Sequence, residues 1–187
     1  EDDGNGEWRL TNLDFFNDKL SHIPEFYSAA AYMIGTQDQL DPICTILMNI
    51  KIDYAAVSST KLPRVLADEI VKRKDSDQLL LLMAASFSIL KVLQASEFVS
   101  IVHRFEYFLQ TNDIEDYTNN FSTSNVIDVS SDQKKNPLKM PSFLCLAAIS
   151  NFSPSSVNYQ LIVPVAAYFV NVDSILMRET SAIILCN

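Results

Sequence analysis

Apolar residues recur at three- and four-residue spacing along most of this 187-residue chain, the repeat that lines one face of an α-helix. In "SEFVSIVHRFEYFLQ", Phe98, Ile101, Val102, Phe105, Phe108 and Leu109 share one side, while His103, Arg104 and Glu106 point elsewhere. Ser96 is the expected N-cap of that helix, because its hydroxyl can accept from a first-turn N–H. Asp41-Pro42 sets a carboxylate before a proline whose missing N–H costs nothing at a helix start, and Ser153-Pro154 repeats the device. Leu62-Pro63 opens "RVLADEIVKRK", and Asp75 with Ser76 caps "DQLLLLMAASFSILKVLQ". This last run is apolar nearly all round, which predicts burial on several sides.

No segment alternates with period two, and the turn pairs that make tight hairpins are absent, so no strand is predicted. The predicted helices are 12–21, 24–34, 42–54, 62–73, 77–94, 97–110, 141–151, 155–170 with a break near Pro164, and 174–187. The fold class is all-α. Residues 111–139, "TNDIEDYTNNFSTSNVIDVSSDQKKNPLK", break the pattern: they are rich in Asn, Asp, Ser and Thr, and read as a long inserted mobile loop.

Composition narrows the function classes. At 48% hydrophobic content the chain can bury one good core or a short run of repeats, and a single domain over 1–187 is expected. Fourteen Lys and Arg against 23 Asp and Glu give a formal charge of −9, which disfavours direct nucleic-acid or anionic-membrane binding. The one basic run, Lys72 to Lys74, reads as a solvated helix end. Cys44, Cys145 and Cys186 are widely spaced in apolar runs, the pattern of buried thiols in a reducing compartment rather than of a disulfide or zinc framework. The start "EDDGNGEW" lacks the apolar stretch of a signal peptide, and "LIVPVAAYFV" is too short to span a bilayer. These features place the chain inside a cell, in cytoplasm or nucleus. The sequons at Asn120 and Asn151 are then accidental.

Catalytic chemistry finds no foothold in the pattern. Three glycines, Gly4, Gly6 and Gly35, do not make a phosphate-cradling loop, and no G-x-S-x-G, H-E-x-x-H or C-x-x-C occurs. His22 precedes Pro24 at a helix junction, and His103 lies on the polar flank of its helix, with only Glu106 and Asp113 near it in sequence. No catalytic, cofactor-binding or metal-binding residue is assigned, and no cofactor is expected. The aromatic residues Phe15, Phe16, Phe26, Tyr27, Phe105, Tyr107 and Phe108 fall at helical spacing and are expected in the core.

Three helix endings share a plan: "LLLLMAASFSILK", "SFLCLAAISN" and "RETSAIILCN" place small residues (Ala84 and Ala85; Ala147 and Ala148; Ser181 and Ala182) before larger aliphatic ones. Asn151 and Asn187 are 36 residues apart (187 − 151), a period in the range of helical solenoids. On these residues the chain, over 62–187, resembles armadillo repeats and more loosely HEAT repeats. "VPVAAYFVNVDSILMRETSAIILCN" looks like a second and third armadillo helix, and "LPRVLADEIVKRKDSDQLLLLMAASFSILK" has the same order. A middle unit would run from Phe98 to Asn151 with the insertion between its helices. The glycine expected between the first two helices is missing, and Lys91 stands where asparagine recurs in the other two units.

The resemblance implies a right-handed helical solenoid, a fragment of a longer one, that acts in a eukaryotic cell as a non-enzymatic scaffold binding a peptide or protein partner. It implies that Asn151 and Asn187 contact a partner's backbone, although each could instead cap its own helix. The alternative is an obligate structural or dimerisation subunit, with a homodimer or a capping partner covering the end of the last helix. Within the loop, "VIDVSSD" (126–132) resembles a SUMO-interacting motif, which implies that Val126, Ile127 and Val129 fill a groove of SUMO as an added edge strand.

Overall fold

The computed structural model describes residues 16–110, 137–171 and 174–186, and among them every regular element is helical. A π-helical turn, Phe16–Leu20, precedes α1 (Pro24–Thr36), α2 (Asp41–Asn49), α3 (Tyr54–Ser58), α4 (Leu62–Lys72) and α5 (Ser76–Phe87). After a 3-10 turn at Leu90–Val92 come α6 (Ala95–Gln110), α7 (Lys139–Phe152), a 3-10 turn at Pro154–Ser156, α8 (Tyr159–Phe169) and α9 (Ile175–Cys186). No helix among the described residues is long and apolar enough to cross a membrane. The chain forms two compact units, divided after Glu97.

Most helix starts are where the side chains dictate. Asp75 accepts from the Gln78 N–H at 2.9 Å and opens α5, and Pro63 sits in the first turn of α4. Other starts move by a residue. Asp41 lies inside the first turn of α2 behind Leu40 and makes no capping bond. Ser96 lies inside α6, and at the entry of that helix Glu97 reaches back to the Gln94 N–H at 2.7 Å. Ser153 opens only the 3-10 turn, and Asn158 caps α8 by accepting from Gln160 N–H at 3.1 Å. The predicted helix 42–54 ends early, at Asn49, and Asp53 accepts from Ala55 and Ala56 N–H to start α3 afresh. Pro164 does not break α8, which runs through it from Tyr159 to Phe169.

In the first unit α1 packs on α4, α2 on α5, and α3 on both α4 and the turn Leu90–Val92. The stacked helices share a burial register. Tyr27, Ala30, Ala31 and Ile34 of α1 are buried, and 36 residues on (27 to 63, 30 to 66, 31 to 67, 34 to 70) Pro63, Leu66, Ala67 and Ile70 of α4 are buried too. From α2 to α5 the interval is 35: Cys44 and Leu79, Leu47 and Leu82, and Ile50 and Ala85 beyond the α2 end are all buried.

Polar contacts at the ends show that the stacked helices are parallel. The Arg73 guanidinium, just past the end of α4, donates to the Ile34 and Gln37 carbonyls at the end of α1 (3.3 and 3.1 Å), to Gln78 (2.9 Å) and to Glu69 (2.8 Å). Gln78 at the start of α5 donates to the Asp38 carbonyl at 3.1 Å, just before α2. Arg73 is therefore not the solvated basic residue its sequence context predicts; Lys72 and Lys74 beside it are exposed.

In the second unit α9 packs on α8 and on α7, and Phe143 of α7 meets Phe169 of α8 with ring centroids 5.2 Å apart. The same spacing governs the pair α7 and α9: buried Ser142, Leu146 and Ile149 recur 35 residues on (142 to 177, 146 to 181, 149 to 184) as buried Met177, Ser181 and Ile184. Helix α6 departs from its expected amphipathic form. From Ile101 to Leu109 only His103 is exposed. Arg104 is buried with its guanidinium 4.5 Å from the centre of the Phe108 ring, and buried Glu106 accepts from the Asn158 N–H at 2.9 Å.

Candidate partner-binding face

Among the described residues of the first unit, α2 and α5 share a face that is not buried. Helix α5 was expected to be buried on several sides, yet Leu80 and Leu81 are half-buried while Ala84 and Phe87 are exposed, Phe87 at 51%. The stacked α2 continues the face in the same 35-residue register. Pro42, Thr45, Ile46 and Asn49 correspond to Asp77, Leu80, Leu81 and Ala84 (42 to 77, 45 to 80, 46 to 81, 49 to 84), and none of the eight is buried. Two parallel helices thus present an apolar strip that holds Ile46, Leu80, Leu81, Ala84 and Phe87.

Charged residues stand at both ends of this strip. Asp38, Asp41, Asp75 and Asp77 are exposed where α2 and α5 begin. Lys51 and Lys91 are exposed just past where these helices end, and the Lys91 ammonium lies 5.5 Å from the centre of the exposed Tyr54 ring. Arg73 offsets part of the acid at the starting end: its guanidinium lies 3.6 Å from the Asp38 carboxylate as well as bonding Glu69 and the α1 carbonyls, and Lys72 and Lys74 are exposed there too.

A second exposed apolar face lies on α9. Met177, Ser181 and Ile184 face inward, while Ile175 (66%), Leu176 (60%), Ile183 (49%) and Leu185 (43%) are exposed. Cys186 of α9 is exposed, in contrast to the expectation of three buried thiols; Cys44 and Cys145 are buried, and burial pushes both thiols up to about 12.

The residues singled out from sequence are dispersed. Asn151 is exposed near the end of α7, and in the 35-residue burial register its counterpart on α9 is Cys186. Asn187, Val126, Ile127 and Val129 lie outside the described residues. His22 contacts Asp53 at 2.9 Å, and the same carboxylate caps α3, so bonding to His22 and to the Ala56 N–H holds it below the usual carboxylate range. Buried Tyr27 donates to the Ser21 carbonyl at 2.7 Å and accepts from Asp53 N–H at 3.3 Å, closing the N-terminal turn onto α3.

His103 Nδ1 stands 3.9 Å from Glu106 Oε2, with Glu106 buried and its carboxyl pushed up, chiefly by loss of water. This pair was not expected from sequence spacing alone. Glu106 holds the start of α8 and so has a local structural task. Among the described residues no group of three or more His, Cys, Asp or Glu is arranged to hold a metal ion.

Sequence reasoning missed the α2–α5 strip because an all-round apolar helix reads as fully buried. The signal was present in the 35-residue spacing of the positions that surround it. Comparison of the chain with family models, with characterised proteins and with solved structures finds no match.

Proposed function

We propose that this protein is a non-enzymatic scaffold, built of armadillo- or HEAT-like helical tiers, that binds another protein or peptide through the helix surface of its first unit. The observation that carries the reading is the α2–α5 strip: half-buried Ile46 of α2 at the position equivalent to half-buried Leu81 on the stacked parallel α5, which adds half-buried Leu80 and exposed Ala84 and Phe87. Contiguous apolar surface bounded by charge is what interaction sites present, whereas singly exposed apolar residues need no explanation. Stacking of α1 on α4 and of α2 on α5, at intervals of 36 and 35 residues, supports the repeat architecture.

The test is a selection of displayed peptides on the intact protein, counter-selected on Phe87→Asp and Leu81→Asp variants whose helicity is verified by circular dichroism. The scaffold reading expects peptides that bind the natural chain and are lost on both variants. Enrichment of peptides indifferent to both substitutions would remove the α2–α5 strip as the binding surface.

The second reading, a subunit of a larger assembly, is favoured by α9, whose exposed Ile175, Leu176, Ile183 and Leu185 offer a surface for self-association. The two readings use different helices and are separable by substitution.

A further inference from the structure

We draw no further inference here: the strongest candidate, the apolar face shared by α2 and α5 in the first unit, carries charges of both signs at its starting end, and nothing in the structure shows what covers it.

Discussion

Arg73 shows how one side chain can join two tiers of helices. Its planar fork reaches Glu69, Gln78 and the Ile34 and Gln37 carbonyls, so it satisfies acceptors left open at the end of α1 while holding the turn between α4 and α5. Arg73→Ala is expected to cost about 2–3 kcal/mol, since bonds to a charged donor are lost and half-buried acceptors are left open. Arg73→Lys should recover less than half of that, because an ammonium cannot span the same four acceptors. Urea midpoints with unchanged slope measure both, and full rescue by lysine would mean that charge alone matters here. Glu106 makes a different prediction. Burial raises its carboxyl above the ordinary 4.5 in the folded state, so folding favours the protonated form. Its contribution is intact below the unfolded value and is lost as pH rises through the folded one. Glu106→Gln removes that loss, so the stability of the variant relative to the natural chain should increase from pH 4 to pH 8. A constant difference across that range would show that Glu106 is not the titrating group. Neither role was legible in sequence, where Arg73 reads as part of a solvated run and Glu106 as the polar flank of α6. Helical periodicity separates polar from apolar residues but cannot tell which polar ones will find a buried partner.

At the scale of elements, sequence periodicity located the helices well and their internal joints less well. The run 24–34 lies within α1, 62–73 is α4 extended by one residue, and 97–110 lies within α6, because proline starts and apolar spacing are local signals. The joint between α2 and α3 was missed: "MNIKIDY" keeps an apolar rhythm, and only the side chain of Asp53 accepting from Ala55 and Ala56 reveals the new start. Pro164 was expected to break α8, but an exposed proline is tolerated there as a local loss of one backbone bond. Pro164→Ala should therefore stabilise the chain by about 1–2 kcal/mol, the regained bond being partly offset by a more flexible unfolded chain. A thermal melt that shows a lower midpoint for the alanine variant would mean that Pro164 is required for packing on α9. The burial register was half legible. The period of 36 read from Asn151 and Asn187 is close to the 36- and 35-residue burial registers, but the equivalent positions carry different residues, such as Tyr27 and Pro63 or Ala30 and Leu66. What recurs is which positions are buried, and identity at those positions is free to vary as long as the stacked pair fills its space.

At the scale of the whole molecule, the exposed face of α9 carries the self-association reading. Its four large exposed apolar side chains flank Ala182, and Arg178 with Glu179 give the same surface one charge of each sign, so it can complement a second copy of itself. The driving force is limited. Burial at about 25 cal/mol per Å² over one short helix exceeds the cost of association by little, since that cost alone is about 4–15 kcal/mol. Self-association through α9 is therefore expected to be weak, with a Kd on the order of 1 mM to 10 μM. Light-scattering mass should rise with concentration over that range for the natural chain and stay at the monomer value for Leu176→Glu with Ile183→Glu. Those two side chains are exposed, so the variant should keep its thermal midpoint. Hydrogen exchange should slow across 175–186 with concentration in the natural chain only. A natural chain that remains monomeric at the top of the range, with rapid exchange in α9 throughout, would remove the self-association reading and leave the α2–α5 strip as the surface on which to look for a partner. A concentration-dependent mass that persists in the double variant would instead place the self-contact elsewhere, and Phe87→Asp would then show whether the α2–α5 strip is occupied by a second copy.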